Sequence, residues 1–301
     1  MLSRHALDRH AFALALPFIL LWASAFPATK FALRDCPPLV FLFMRFLFAG
    51  VLLVGLAYAQ GERFRLGRRD WAALILLAAC NHALYLGISW TGMRELSSGL
   101  STIIISASPI LVSLLAIPLL GERMTPRKLM GLLLGFAGVV FIVHGRIDNG
   151  TDTLRGALLV ACALLILSLG TVIFKRVSVQ MNLTGNLGLQ VLLASAIMLP
   201  WSLAAESWRD VHFTANTVGA LLWCVIMVSI GGYLLWFALL RATHASAASA
   251  WFFLTPPLGL LMGWLILGEQ LEWHDFAGVL PVVIGIMLVT RAAEPSTRGH
   301  A

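Results

Sequence analysis

Charge is scarce in this sequence. Only 12% of its 301 residues are charged, whereas 59% are hydrophobic and the mean hydropathy is +0.89. An ordinary soluble domain has about 25% charged residues and roughly 45–50% apolar ones. The composition therefore indicates an integral membrane protein.

Several signs of catalysis are also missing. The four cysteines are isolated, which argues against a disulfide framework and a CxxC metal site; they are Cys36, Cys80, Cys162 and Cys224. The sequence has no P-loop, GxSxG or HExxH pattern. We therefore expect no enzyme activity, no cofactor and no bound metal, with a membrane-embedded enzyme as a distant alternative. The net charge of +7 suits cytoplasmic loops beside anionic lipid and does not call for nucleic acid.

Acidic residues are absent from the predicted helix centres. All 14 Asp and Glu fall in loops, tails or the first and last turns of apolar segments. Ion-coupled carriers usually hold their ion on a carboxylate inside the membrane. The only titratable group predicted near the midplane is His82, whose ordinary pKa of about 6.5 would allow a proton role. Ion coupling is therefore either absent or unconventional.

Long apolar runs fill the chain instead. A bilayer core of about 30 Å needs roughly 20 apolar residues per helix, and no run alternates with the period of two that membrane β-strands show. The sequence predicts an all-α polytopic membrane protein with ten transmembrane helices, at residues 11–33, 39–59, 71–92, 95–120, 127–144, 154–174, 183–204, 217–239, 244–267 and 275–291.

The two halves of the chain repeat each other. The stretch "PILVSLLAIPLLGERMTPRKLMG" aligns with "PPLGLLMGWLILGEQLEWHDFAG" at an offset of 147 residues. Identical pairs at this offset include Pro109 and Pro256, Leu120 and Leu267, Gly121 and Gly268, Glu122 and Glu269, Gly131 and Gly278, and, just beyond these stretches, Gly138 and Gly285. This predicts a duplication, with a first five-helix repeat at 1–146, a second at 147–294 and a cytoplasmic tail at 295–301.

The charges of the loops indicate that the second repeat is inverted. Placing both termini in the cytoplasm puts fourteen of the 21 Lys and Arg residues on the cytoplasmic side. Five helices per repeat then reverse the second copy, and the basic loop "GERMTPRK" has an acidic counterpart, "GEQLEWHD". Inverted repeats of this kind are typical of transporters whose substrate site lies near the midplane. The alternative is a duplication that only stabilises the bundle.

These features together resemble the EamA family of the drug/metabolite transporter superfamily. The resemblance rests on "WASAFPATK" in the first helix, "FMRFLFAG" in the second, and the Pro and Gly-Glu pattern closing the fourth and ninth helices. It implies export of amino acids or similar small metabolites by alternating access, as in the aromatic-amino-acid exporters of bacterial inner membranes. It also implies a central cavity lined by helices three, four, eight and nine, with parts of one and six.

The third helix is the richest in polar residues. Asn81, His82, Tyr85 and Ser89 lie at spacings that place three of them on one face. An amide and a phenol suit the amino and carboxylate groups of a zwitterion, so we expect these four residues to bind substrate. Alternatively, Asn and His hold neighbouring helices together.

Helices four and nine supply a second candidate group. Ser106, Ser108, Trp251 and Thr255 lie beside Pro109 and Pro256, which we expect to kink the two helices around the cavity. Close packing of small residues is the alternative.

The remaining candidate site residues are mid-helix aromatic residues and isolated basic residues. Trp22, Tyr233 and Trp236 are predicted to line the cavity, although a mid-helix Trp can equally face lipid. Lys30, Arg45 and Lys175 are possible charge partners, although long basic side chains near helix ends can also reach the headgroups. A nucleotide-sugar or phosphate-ester carrier is the nearest alternative function, but it would need several bases in the cavity.

Overall fold

The described residues fold mainly into helices. The computed structural model describes residues 4–96, 101, 104–144, 153–177, 181–268 and 273–292. No β-strand occurs within those ranges, and the predicted all-α class is confirmed. The helices are α1 (Arg4–Ala32), α2 (Pro38–Ala59), α3 (Arg68–Met93), α4 (Ile104–Leu120), α5 (Pro126–His144), α6 (Leu154–Arg176), α7 (Leu183–Ala205), α8 (Ala215–Ala242), α9 (Ala245–Ser249 and Thr255–Leu267, joined by the 3-10 turn Ala250–Leu254) and α10 (Trp273–Ala292).

Seven of the described helices are long and apolar enough to cross a membrane, namely α1 from Ala11, α2, α3, α6, α7, α8 and α9. Shorter apolar stretches occupy Ile104–Leu120 in α4 and Leu280–Val289 in α10. Large apolar side chains remain exposed on the outside of the bundle, such as Leu154 at 76% and Met130 at 62%. A lipid environment would cover them. The chain is a multi-pass membrane protein, whereas ten spans in two inverted repeats stay a prediction.

Two helices are interrupted at corresponding places. In α4 a break at Ala107 precedes the regular helix Ser108–Leu120, and in α9 a 3-10 turn precedes the regular helix Thr255–Leu267. Both regular helices have 13 residues and end at a left-handed glycine, Gly121 with φ 68° and Gly268 with φ 72°. The offset of 147 residues found in the sequence relates both their starts and their ends.

Two other helices contain wide turns. A π-helical turn covers Ala79–Ala83 in α3 and a longer one covers Cys224–Gly232 in α8. These positions also correspond at the offset of 147 residues. Because π turns inside α-helices often occur at functional sites, they direct attention to the polar residues that they carry.

Glycines let helices from the two halves approach closely. A Cβ atom on Gly285 of α10 would lie 2.6 Å from the carbonyl oxygen of Gly131 of α5, and one on Gly92 of α3 would lie 2.9 Å from that of Gly156 of α6. Helix α2 packs along α7. Small residues serve the same purpose in other membrane bundles, where they allow backbones to touch.

Candidate functional site

A small cavity lies where the two halves of the chain meet. It has a volume of about 40 Å³ and is lined by residues of α1, α2, α3 and α8 with Ile105 at the start of α4. The lining residues are Trp22, Ala25, Phe26, Thr29, Arg45, Tyr85, Leu86, Ser89, Trp90, Met93, Ile105, Val228 and Tyr233. A space of this size holds a few water molecules, at roughly 10–15 Å³ each. The helices must therefore separate before a metabolite can enter.

Arg45 is the one charged residue in this described lining. It lies on α2, is only 2% exposed, and donates from Nε to the hydroxyl of Ser229 at 2.7 Å. Ser229 belongs to the π-helical turn of α8, which places its hydroxyl against α2. Among the described residues, no Asp or Glu forms an ion pair with Arg45. Within the described residues, the positive charge of Arg45 on the cavity wall is therefore not neutralised by an acidic side chain.

Aromatic rings form the wall beside this charge. Trp22 of α1 and Tyr85 of α3 lie nearly parallel, with ring centroids 6.4 Å apart and an interplanar angle of 9°. Tyr233 of α8 meets Trp22 edge to face at 6.0 Å, and its hydroxyl is buried with no hydrogen-bond partner in the described part of the chain. Ser89, one turn beyond Tyr85, and Thr29 of α1 are also polar residues of the lining. Five of the residues proposed from the sequence thus meet here: Trp22, Arg45, Tyr85, Ser89 and Tyr233.

Asn81 and His82 are buried behind the cavity and are not part of its lining. Asn81 faces α6, with its side-chain oxygen against Gly170, an arrangement that favours the helix-packing alternative. His82 is fully buried and lies edge-on to Tyr233 at 4.6 Å and to Phe46 at 5.9 Å. His82 therefore packs against the ring of Tyr233 on the side away from the cavity.

The remaining candidates also lie outside the cavity lining. Trp236 stacks on Phe18 at 5.0 Å, and Trp251 meets Phe12 edge to face at 5.7 Å. Ser106, Ser108 and Thr255 are buried at the two helix interruptions. Pro109 and Pro256 occupy the first turns of the regular helices of α4 and α9, directly after the two interruptions. Proline is well suited to that position because its missing N–H has no helical partner there.

Of the two lysines, Lys175 has a clear structural role. Its ammonium group donates to the carbonyl oxygens of Leu240 and Thr243 at the end of α8, both at 2.6 Å. Lys30 is exposed near the end of α1. Neither lysine reaches the cavity.

Sequence reasoning did not anticipate the role of Glu122. Glu122 lies between α4 and α5. Its carboxylate forms an ion pair with Lys128 at 3.0 Å, and it accepts hydrogen bonds from the Ala245 amide at 3.0 Å and from the Ser246 hydroxyl. It thereby caps the start of α9. We call these four residues the Glu122 cluster. The repeated Gly-Glu pair was the available signal, but it did not reveal which groups the carboxylate would contact.

The Glu122 cluster is stable at neutral pH. Burial acts to raise the pKa of Glu122, but hydrogen bonds from Ser246 and Lys128, with the charges of Lys128 and His244, hold it below its usual value. A carboxyl with a lowered pKa stabilises the folded state above its ordinary pKa, and this stabilisation is lost as the pH falls through the lowered value. Glu122 therefore remains charged throughout the neutral range.

The two ends of the bundle differ. A groove of about 580 Å³ lies at the end where α1 joins α2 and α7 joins α8, and its lining includes Arg34, Arg94 and Glu206. Its lining begins just beyond the cavity, with Leu33 one turn after Thr29 of α1 and Arg94 directly after Met93 of α3. At the opposite end, the Glu122 cluster ties the α4–α5 connection to α9. The cavity is therefore nearer to the grooved end.

These features define a class of protein, a multi-pass helical membrane protein with a cavity between its two halves. The chain belongs to the EamA-like transporter family, whose model matches residues 10–144 and 154–291. It is 31% identical over 283 residues to the uncharacterized transporter YvbV of Bacillus subtilis, covering 94% of this chain and 92% of the relative. Over 284 residues it is 26% identical to an S-adenosylmethionine/S-adenosylhomocysteine transporter of Chlamydia muridarum, covering 89% and 88%.

A solved crystal structure shares the fold. It superimposes with a TM-score of 0.81 at 18% identity, covering 95% of this chain and 98% of the other. At that level of identity the likeness shows a common fold alone.

Proposed function

We propose that this transporter exports amino acids or similar small metabolites across the bacterial cytoplasmic membrane. The observation that carries the proposal is the cavity at Arg45, where one buried positive charge lies beside three aromatic rings between the two halves of the chain. Buried charge in a membrane protein is expensive and is found mainly at functional sites. Relatives named as transporters of a metabolite with an amino-acid portion agree with this substrate class.

The mechanism we propose is alternating access by two inverted five-helix repeats that span the membrane ten times. Three observations support it. The regular helices Ser108–Leu120 and Thr255–Leu267 correspond in length, cap and position, the π turns of α3 and α8 correspond as well, and the family model matches each half separately. In inverted-repeat transporters, interrupted helices surround the site and one half rocks against the other.

We further propose that both termini are cytoplasmic. The excess of Lys and Arg on that side supports this orientation. The grooved end then faces outward and the Glu122 cluster closes the cytoplasmic end. In this interpretation the described conformation is closed to the cytoplasm, with its small cavity beneath the outer groove.

A phosphate-ester substrate agrees less well with the cavity. A phosphate dianion is usually held by several bases, and the described lining has a single guanidinium. One guanidinium neutralises a single negative charge, as an amino acid or another monocarboxylate would require. The amino-acid class is therefore the better supported of the two.

Counterflow into liposomes tests the proposed function. Liposomes that contain the purified protein and are loaded with unlabelled phenylalanine, leucine or methionine should transiently accumulate the same labelled amino acid from outside. They should do so without any ion gradient. The outward gradient of the unlabelled amino acid drives this accumulation, and no described Asp or Glu lies in the central part of a helix to hold a driving ion. Liposomes without protein and liposomes loaded with glucose 6-phosphate are the controls. Exchange of the sugar phosphate but of no amino acid would contradict the proposal.

A further inference from the structure

The guanidinium of Arg45 has only part of its donor capacity in use. Arginine has five N–H donors, and Arg45 uses Nε toward Ser229 at 2.7 Å. Its terminal groups Nη1 and Nη2 make no hydrogen bond to any residue in the described ranges. Because Arg45 lines the cavity, these two groups are the donors available to a molecule that enters.

Nη1 and Nη2 form a planar fork that matches the two oxygens of a carboxylate. Arginine binds carboxylates in this bidentate way more readily than lysine does, because its donors are fixed in one plane. The described lining contains no Asp, Glu, Lys or His that would compete for the fork or for the ligand. The described lining therefore has a single positive charge, which matches a ligand with a single negative charge.

Neighbouring groups extend the match to the rest of a small acid. The buried Tyr233 hydroxyl has no partner among the described residues, and Tyr233 lines the same cavity as Arg45. It provides one more donor. The faces of Trp22 and Tyr85 offer apolar contact and, for a zwitterion, a surface that attracts an ammonium group.

We infer that the cavity is a carboxylate site, in which the Nη1 and Nη2 groups of Arg45 bind the carboxylate of the transported molecule and Ser229 positions Arg45 from the π turn of α8. This inference rests on the proposed function and names the part of the substrate that the transporter recognises. It makes Arg45 the specificity-determining residue and Ser229 a positioning residue.

A panel of matched ligands tests the inference by equilibrium binding to the detergent-purified full-length protein, separately from transport. The panel pairs phenylalanine with phenylalaninamide and leucine with leucinamide, since each amide lacks only the carboxylate. A further member, 3-phenylpropionate, lacks the amine. We expect each amide to bind roughly 10–100-fold more weakly than its acid, the range for losing a buried charge-assisted pair.

Variants separate recognition from folding. Arg45→Gln should reduce the acid-to-amide preference to about one, whereas Arg241→Gln, at an exposed arginine of α8, should leave the preference unchanged. Ser229→Ala should weaken the preference and Ser229→Thr, which keeps a hydroxyl, should restore it. A merely structural role of Ser229 would lower the folded amount and leave the preference intact.

The outcomes distinguish the two claims. Equal binding of acids and amides, or no binding of any acid at millimolar concentration, would overturn the carboxylate site. If acids and amides bound equally, counterflow could still occur. The proposed function would then be supported without the carboxylate site. Acid-selective binding that depends on Arg45 would support the site even if counterflow failed, in which case the transport proposal would be the one overturned.

Discussion

Glu122→Ala is expected to destabilise the protein by about 3–5 kcal/mol, the usual cost of removing one partner from a buried ion pair. The change leaves the Lys128 ammonium buried at 3% exposure without its carboxylate. It also removes the acceptor for the Ala245 amide and the Ser246 hydroxyl at the start of α9. Thermal melting of the detergent-purified protein would measure the effect, with a shift of roughly 2 °C for each kcal/mol in a chain of this size.

Glu95→Ala provides the matched control. Glu95 also forms an ion pair, with Arg155 at 2.9 Å, but the two side chains are 28% and 75% exposed. An exposed pair contributes about 0–1 kcal/mol, and little change in melting is expected. Adding Lys128→Met to Glu122→Ala should recover part of the loss, because no charge is then buried alone. Equal shifts for Glu122→Ala and Glu95→Ala would show that the Glu122 cluster does not hold the bundle together.

Tyr85→Ala is expected to lower transport by roughly 30-fold or more, the effect of losing about 2 kcal/mol at a binding hot spot. Tyr85 is 2% exposed, lines the cavity and lies parallel to Trp22. Tyr85→Phe keeps the aromatic ring and should retain most of the activity. Initial counterflow rates, normalised to the amount of folded protein, would measure both.

Asn81→Ala is the control one turn earlier on α3. Its amide lies against Gly170 of α6, and neither of its polar atoms has a hydrogen-bond partner among the described residues. We therefore expect transport within about twofold of wild type, since removing an unpaired buried amide is nearly neutral. Loss of transport in Asn81→Ala together with wild-type rates in Tyr85→Ala would show that the substrate lies on the α6 side of α3.

The sequence predicted the membrane class, the all-α fold and the family, because each depends on properties that accumulate over many residues. Apolar length defines the helices, and the Gly-Glu and proline pattern identifies the repeat. The direction of an individual side chain, in contrast, depends on the local geometry of the backbone. Either Asn81 or His82 was predicted to share a face with Tyr85 and Ser89. The π turn at Ala79–Ala83 carries both Asn81 and His82, and the structure places both behind the cavity that Tyr85 and Ser89 line.

The prolines show a related local difference. Pro109 and Pro256 were expected to kink the two helices around the cavity, and each lies in the first turn of the regular part of its helix, directly after the interruption at Ala107 or across Ala250–Leu254. The pairing of Arg45 with Ser229 joins residues 184 positions apart, and the Glu122 contact with Ser246 joins residues 124 apart. Contacts of such sequence separation depend on how helices pack in three dimensions, which hydropathy and spacing do not determine.

Cysteine accessibility from both sides of the membrane tests the central claim, that one cavity opens in turn to each face. The background is a variant in which Cys36, Cys80, Cys162 and Cys224 are replaced by serine or alanine. Ser89→Cys then places one thiol on the cavity wall. A small, membrane-impermeant methanethiosulfonate should label it both in intact cells and in inverted vesicles, and phenylalanine should slow both reactions. Arg34→Cys should react only in cells and Arg65→Cys only in inverted vesicles. Labelling of Ser89→Cys from one side alone would contradict alternating access.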